Sequence, residues 1–385
     1  MEFELSWLLM GLPLAFGLGW LASRLDLRQW RADSRRSPKA YFKGLNYLLN
    51  EQQDQAIDAF IEAVQNDPDT TELHFALGNL FRRRGEYNRA VRVHEHLLSR
   101  ADLTRADRDR AQHALALDFL KAGLLDRAED ALRRLDATPF EAQARLALLS
   151  IYERAHDWPQ AMAVAKRMQQ AQQGDFSTRI AHYLCEQALA LVQRGDHGGA
   201  RALFEQAHAS APQAPRPLLE LARQHQRQGQ PRAALQQLQQ LVASAPAAAP
   251  LAAALLADCA SATGQQPQVL AQLRTLYEAA PSLDLLDAIV ALEKQDAEQA
   301  AQAPQWYVRH LQHEPSLVAA TRWLAQERLA HEEYHPQIQR ALDNAAKPLT
   351  RYRCAACGFE ARQHFWQCPG CQTWDSYPAR RVEEL

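Results

Sequence analysis

The sequence predicts an all-α protein, in which a superhelix of paired helices follows a transmembrane helix and precedes a small metal-binding knuckle. Three observations carry this prediction. The chain opens on a long uncharged apolar segment, a 34-residue pattern recurs through its middle, and two C-x-x-C pairs lie near its end. With only 15 glycines in 385 residues and abundant Ala, Leu, Gln and Arg, the composition favours helix over sheet.

The first segment is long enough to cross a bilayer. Residues 5–23 contain no charge, and as a helix these nineteen residues span roughly 28 Å, close to the ~30 Å hydrocarbon core. Trp7 and Trp20 lie near the two ends, where interfacial aromatic residues concentrate. We predict a transmembrane anchor at 1–23; a buried hydrophobic helix is the alternative.

The charges around this segment predict its orientation. Glu2 and Glu4 precede it, whereas a cleaved signal peptide would begin with basic residues. Seven Lys and Arg residues follow between Arg24 and Lys43. The positive-inside rule therefore predicts an outer N-terminus, a basic juxtamembrane segment at 24–38, and all that follows in the cytoplasm.

The middle of the chain carries an internal repeat. Each copy has small residues, a large apolar residue and a closing proline at similar spacing. The clearest copies are Gly44, Tyr47, Ala56, Phe60, Ala63, Pro68; then Gly195, Ala200, Phe204, Ala207, Pro212; and Gly229, Ala234, Leu238, Leu241, Pro246. Two helices cross closely where small side chains meet, and proline ends the second helix. The pattern resembles the tetratricopeptide repeat.

We predict a tetratricopeptide-repeat array at 39–345, with six fair repeats plus degenerate ones. Such an array binds an extended peptide or a partner helix on the concave face lined by its first helices. Repeat position predicts that this face includes Asn79, Arg82, Arg83, Arg223 and Arg227, which would suit a partner bearing carboxylates. A solvated helix surface is the alternative for each residue alone.

The sequence gives little support for an enzyme. "HEEYH", from His331 to His335, matches the H-E-x-x-H zinc-protease pattern, but Pro336 disturbs the shared helical face and no third ligand follows at a familiar spacing. "HEH" at His94–His96 places its histidines on different faces of a helix. The chain lacks P-loop, G-x-G-x-x-G and G-x-S-x-G motifs. We predict no catalytic residues.

Four cysteines near the end have metal-ligand spacing. Cys354, Cys357, Cys368 and Cys371 form two C-x-x-C turns that would enclose one zinc or iron ion in a tetrahedral site. We expect the domain at 346–385 to owe much of its folding energy to this ion, because so short a chain buries little surface. Redox-active dithiols are the alternative, although these normally accompany a βαβ pattern.

The two turns resemble a rubredoxin knuckle pair. Gly358 supplies the positive φ needed after the first turn, but Gln372 replaces the glycine expected after the second. This departure, with the short intervening loop, favours a structural metal over electron transfer. We expect Tyr352, Phe359, Trp366 and Trp374 to form an apolar shell, and His364 to be exposed rather than a ligand.

Other features constrain compartment and partners. Cys185 and Cys259 are isolated in helical stretches, and six cysteines are too few for a disulfide scaffold, which indicates a cytosol-facing chain. A net charge of −2 gives no reason to expect a nucleic-acid partner. The connection at 343–350 spans ~25 Å at most, so we expect the knuckle to dock against the last repeats.

The order of the three modules, with "YRCxxCGF…WxCPxCxxW" from Tyr352 to Trp374, resembles the lipopolysaccharide assembly protein B family of Gram-negative bacteria. The resemblance implies an inner-membrane adaptor that brings LpxC, the deacetylase committing carbon to lipid A synthesis, to the membrane-bound AAA+ protease FtsH for degradation. It also implies a membrane-embedded sensor protein that opposes this action. A redox or electron-transfer module built on a four-cysteine iron site is the alternative. The sequence leaves open zinc versus iron and a homodimer.

Overall fold

The computed structural model describes residues 15–20, 42–47, 49–50, 52–66, 71–296, 300–326 and 332–385. The predicted anchor lies outside the described residues apart from a helical stretch at 15–20, and the predicted basic segment at 24–38 lies wholly outside them. The chain divides into two compact units, Met1–Ile151 and Tyr152–Leu385, which are described in turn.

The first unit is helical. Its main helices are α1 Gln53–Asn66, α2 Thr71–Arg84, α3 Tyr87–Ser99, α4 Arg105–Lys121, α5 Leu125–Arg133 and the greater part of α6 Glu141–Ala155. Consecutive helices from α1 to α5 pack against one another. The Thr104 hydroxyl caps α4 by accepting from the backbone N–H of Asp107. The packed helices enclose a core that contains both large and small side chains, as the repeat pattern predicts; among these are Ala56, Phe60 and Ala63.

Two glycines show how closely the paired helices approach. A Cβ atom added to Gly44 would lie 2.9 Å from the Phe60 ring, and one added to Gly78 would lie 2.4 Å from the His94 ring. Only a residue without a side chain fits at either crossing. Close packing therefore explains the small residue at Gly44 and Gly78. Gly195 and Gly229, which open the two later copies, instead lie in turns with φ of 83° and 70°.

His94 occupies the position where other copies have a large apolar residue. Its fully buried ring has Nδ1 2.5 Å from a carboxylate oxygen of Asp118, and the other oxygen of Asp118 accepts from Arg82 Nη1 at 2.9 Å. His96 is exposed on the same helix. The "HEH" histidines therefore face apart, as predicted, and His94 belongs to a buried polar network within the core.

The second unit continues the helical pairs. After the end of α6 come α7 Trp158–Gln170, α8 Ser177–Gln193, α9 His197–Ser210, α10 Pro215–Arg227, α11 Pro231–Ser244, α12 Ala249–Thr263, α13 Gln266–Ala279, α14 Leu283–Glu293, α15 Gln305–His313, α16 Leu317–Leu324 and α17 His335–Ala346. Side chains at the repeat positions have at most 1 % exposure; these are Ala200, Phe204, Ala207, Ala234, Leu238 and Leu241. The predicted helical array is confirmed.

One described helical stretch, Pro246–Thr263, is long and apolar enough to cross a membrane by length and composition. It contains α12, whose buried face includes Ala253, Leu256 and Ala260. Because α12 packs against α11, α13 and α14, this apolar composition is that of a core helix within the array.

A small β module follows α17. The strands β1 Tyr352–Arg353 and β2 Glu360–Ala361 pair antiparallel, and a single bridge joins Gln367 to Trp374. The last residues form a short 3₁₀ turn at Val382–Glu384. This module carries the four clustered cysteines.

Candidate metal centre and its docking surface

The first cysteine pair lies in a tight turn between β1 and β2. The backbone N–H of Cys354 donates to Phe359 O at 2.9 Å, and that of Gly358 donates to Cys354 O at 2.9 Å. Gly358 has φ 77°, which a glycine adopts without strain. These bonds bend the chain so that both thiols of the pair face one point.

The second pair repeats this geometry. The backbone N–H of Cys368 donates to Thr373 O at 2.9 Å, and that of Gln372 donates to Cys368 O at 2.8 Å. Gln372 matches Gly358 in position and has φ 64°. The turn therefore does require a positive φ at this position, which is why a glycine is expected there. Gln372 adopts that φ although a residue with a side chain does so less readily than glycine.

The two turns bring all four thiols together. The ligand atoms of Cys354, Cys357, Cys368 and Cys371 lie within 4.8 Å of one another. The sulfur atoms of Cys357 and Cys368 are 3.7 Å apart, and those of Cys354 and Cys371 are 3.8 Å apart. A tetrahedron with metal–sulfur distances of about 2.3 Å has an edge of about 3.8 Å, so the cluster could bind one metal ion of the zinc or iron type.

The cluster also has the electrostatics of a cation site. The backbone N–H of Phe359 lowers the pKa of Cys357, but burial and the neighbouring thiols together raise it to about 12. Burial raises the pKa of Cys354, yet hydrogen bonds from Ser376 and backbone N–H groups bring it to about 6. Four thiolates this close repel one another, and a bound divalent cation would relieve that repulsion.

The aromatic shell differs in part from the prediction. Tyr352 does pack beside the buried cysteines, but its companion there is Tyr377, whose hydroxyl donates to Phe359 O at 3.1 Å. The Phe359 ring is exposed. Two further predicted members, Trp366 and Trp374, contact side chains of the helical array instead.

Trp374 anchors the module on the array. Its indole stacks on the ring of His182 in α8, with centroids 4.6 Å apart, and its Nε1 donates to a carboxylate oxygen of Glu153 in α6 at 3.0 Å. Tyr183 donates its hydroxyl to the same oxygen of Glu153. Next in the chain, the Asp375 carboxylate lies 2.9 Å from Nε2 of His182.

A buried arginine extends this contact to α10. Arg216 donates to Glu186 at 2.5 Å, and its Nη1 lies 3.3 Å from Nδ1 of His182. Its guanidinium also lies about 6 Å from the rings of Trp366 and Trp374. The imidazole of His182 is thus held between a carboxylate, a guanidinium and an indole.

The extreme C-terminus docks further along the array. Arg381 forms a two-point ion pair with Asp284 of α14 at 2.7 and 2.9 Å. The Glu383 carboxylate accepts from Ser316 Oγ at 2.7 Å and from the backbone N–H of Leu317 at 2.6 Å, at the start of α16. Glu384 similarly accepts from the first backbone N–H of α14. Carboxylates at helix N-termini are favourable partners for unpaired amides.

These contacts confirm docking but correct its predicted position. The tail does contact the last repeats, yet the knuckle reaches back to α6, α8, α10 and α12. The connection at 343–350 limits only where the module begins, whereas the module itself extends across several repeats. Helices α8, α10, α12 and α14 are the first helices of their pairs, so the knuckle and its tail contact the face predicted to receive partners.

The five predicted partner residues have different surroundings. Arg82 donates to Asp118 and, through Nη2, to Asn79 at 2.5 Å. Arg82 and Asn79 therefore belong to the polar network around His94 in the first unit. Arg83 and Arg227 are exposed, and among described residues neither has an ion pair. Arg223 pairs with Glu220 at 2.9 Å. Their partner-binding role stays a prediction.

His335 and His364, two described histidines that the sequence singles out, do not join the cysteine cluster. His335 begins α17 with Nε2 3.2 Å from Leu324 O, while His331 lies outside the described residues. His364 was expected to be exposed, which is wrong. It is half-buried, and its Nε2 lies 3.0 Å from Tyr377 O, because Tyr352 and Trp366 close over its ring.

Comparison with known proteins agrees with this architecture. The profile described as "Rubredoxin metal binding domain" matches residues 352–377, and profiles of the tetratricopeptide repeat match residues 43–93 and 191–259. Lipopolysaccharide assembly protein B of Escherichia coli K12 is 32 % identical over 395 residues, covering 99 % of this chain and 100 % of that protein. The chain belongs to the lipopolysaccharide assembly protein B family.

A second family member has a lower sequence identity to this chain. The assembly protein B of Haemophilus influenzae is 27 % identical over 406 residues, covering 97 % of each chain. Among solved structures, a tetratricopeptide repeat protein from Parabacteroides merdae is 13 % identical with a TM-score of 0.33, covering 66 % of this chain and 97 % of its own. The full-length matches to family members include both the helical array and the cysteine module.

Proposed function

We propose that this protein is an inner-membrane adaptor that restrains lipopolysaccharide synthesis by bringing the deacetylase LpxC to the protease FtsH. The observation that carries the proposal is the full-length relationship to proteins named for lipopolysaccharide assembly. The two protein partners come from the family resemblance. A membrane-embedded sensor that opposes delivery is part of the same proposal.

The helical array supports a binding role. Stacked helix pairs offer an extended surface and contribute no reacting groups of their own. In the first unit, Arg83 is an exposed cation on α2 with no ion pair to described residues, which suits a client with surface carboxylates. The proposal assigns the protein no catalytic step.

The docking of the cysteine module indicates that the protein acts as a rigid scaffold. Contacts from Trp374 at one end to Glu383 at the other fasten it to helices from α6 to α16. A metal ion held by the four thiols would fix the two turns from which these contacts extend. We propose that the module stabilises the array and completes its binding surface.

The apolar segment at 5–23 supports membrane attachment. A single span would confine the array to the membrane surface and raise its effective concentration near membrane-bound partners. An anchored adaptor therefore needs only modest affinity for each partner. We propose a single pass with the bulk of the chain in the cytoplasm.

Crosslinked capture from membranes tests the proposal. The intact chain should retain both FtsH and LpxC, and a form lacking residues 1–23 should retain LpxC but lose most FtsH. Arg83→Glu should weaken LpxC capture, whereas Arg92→Glu, an exposed cation on the second helix of that pair, should not. Capture of neither protein by the intact chain would contradict the adaptor function.

A further inference from the structure

A mainly apolar pocket opens in the second unit beside the docked tail. It measures about 350 Å³ and lies where the turn before α12 meets the turn between α13 and α14. Its apolar wall includes Pro246, Pro250, Leu276, Pro281 and Leu285. The residues that bend the chain at successive repeats thus leave a recess between them.

Among the described residues that line this pocket, Arg380 alone is charged. The side chain is exposed, and it forms no ion pair with any residue in the described part of the chain. Its charge also acts on the Glu384 carboxylate, whose pKa burial raises and Arg380 helps to lower, and among described residues lining the pocket Arg380 is the cation that could meet an entering anion. A guanidinium beside an apolar recess suits a ligand that is apolar at one end and carries a carboxylate.

Contacts made by Arg381 and Glu384 hold the backbone next to Arg380 in place. Arg381 is fixed to Asp284 through two hydrogen bonds, and its backbone N–H donates to Glu384 at 2.6 Å. Glu384 in turn accepts from the backbone N–H of Leu283, one residue beyond the pocket residue Ser282. The backbone that carries Arg380 is therefore preorganised, so that mainly its exposed side chain would have to be ordered when an anion binds.

We propose that this pocket binds the C-terminal end of a protein partner, with apolar terminal side chains in the recess and the terminal carboxylate on Arg380. A chain terminus carries an apolar side chain and a carboxylate on one carbon atom, which matches the adjacency seen here. Ligand pockets start at about 300 Å³, and this pocket is only slightly larger. Such a volume suits a short chain end better than a folded surface. The inference rests on the proposed role in binding proteins and adds a site at the turns that join successive repeats.

Peptide binding to the purified full-length, metal-loaded chain tests this site. The probe is a fluorescein-labelled peptide, Ser-Gly-Ser-Gly-Leu-Val, followed by fluorescence anisotropy. We expect saturable binding with a free terminal carboxylate and at least tenfold weaker binding when that terminus is a carboxamide. Equal binding of the two peptides, or no binding of either, would overturn the proposal.

Three variants separate the site from general effects. Arg380→Gln should weaken peptide binding about tenfold. Ala279→Trp, at an exposed position lining the pocket, should abolish binding by filling the recess. Arg232→Gln changes another exposed arginine, which has no ion pair within the described part of the chain, and this variant should bind as the parent chain does. Helical content and metal content should be unchanged in all three.

Two further results would also decide the matter. Saturable binding of oleate, with no binding of the peptide, would assign the pocket to a lipid and overturn the proposal. If the chain captures FtsH and LpxC but binds no peptide, only this inference fails. If it binds the peptide through Arg380 but captures neither protein, the adaptor function fails and the peptide site stands.

Discussion

The indole of Trp374 lies face to face with the imidazole of His182, with the two rings inclined by only 17°. One ring belongs to the cysteine module and the other to α8. The adjoining Asp375 and the buried Arg216 hold the imidazole from two further sides. This cluster links the candidate metal centre to the repeat array, in addition to the contacts of the C-terminal tail.

Replacing Trp374 should loosen that link. Trp374→Ala removes the stacking and the hydrogen bond to Glu153, and we expect the module's docked state to lose about 2–3 kcal/mol. Trp374→Phe should lose less, because it keeps a ring against His182. Hydrogen exchange of α8 amides measures the effect. Equal protection in the parent and the Ala variant would show that the contact contributes nothing.

Acid should weaken the same link. Burial lowers the pKa of His182 below 6.5, although Asp375 and Glu186 act to raise it and Arg216 acts to lower it. A histidine with a depressed folded-state pKa stabilises the fold above pH 6.5, and this contribution is lost as pH falls through its folded-state value. Burial lowers the pKa of His364 as well, so both histidines act in the same direction.

The unfolding free energy of the docked module should therefore fall from pH 7.5 towards pH 5, because a tenfold change in a proton-binding constant corresponds to about 1.4 kcal/mol. The fall should be shallower in His182→Asn, whatever the variant's stability at neutral pH. Metal content is followed in parallel, because thiolate ligands also release metal in acid. An identical pH slope in parent and variant would contradict the assignment to His182.

Removing a buried ligand should unfold the module and spare the array. Cys354→Ser and Cys368→Ser each break the thiol cluster, so we expect loss of bound metal and rapid proteolysis after α17, with helical circular dichroism nearly unchanged. Cys259→Ala, outside the cluster, should keep its metal. A Cys368→Ser variant that still delivers its client normally would show that the module is dispensable.

Glu383 should protect the start of α16. Glu383→Ala leaves the amides of Leu317 and Val318 without their carboxylate partner, at an expected loss of about 1–2 kcal/mol. Faster hydrogen exchange at these two amides measures it. Glu333→Ala, which changes an exposed carboxylate near α17, is the matched control. Unchanged exchange in the Glu383 variant would refute a capping role for the tail.

The sequence predicts the parts of this structure that depend on neighbouring residues. The repeat positions around Phe204 and the turns ending in Gly358 have fixed local spacing, so each can be recognised without the rest of the chain. The buried His94 was harder to place, because its compensating partner, Asp118, belongs to the next helix pair.

The docking of the module could not be predicted in detail. Trp374 meets Glu153, and Arg381 meets Asp284, across long stretches of chain that no local pattern connects. Trp374 was consequently assigned to the shell of the metal site. The one signal in the sequence is the charged C-terminal end, where Arg381, Glu383 and Glu384 lie within four residues.

Proteolysis of LpxC by FtsH in reconstituted vesicles tests the central claim most directly. We predict that adding the membrane-anchored chain accelerates LpxC degradation severalfold and that adding the form without residues 1–23, or the Cys368→Ser variant, does not. Degradation at the same rate with and without the anchored chain would contradict the account of this protein as an adaptor.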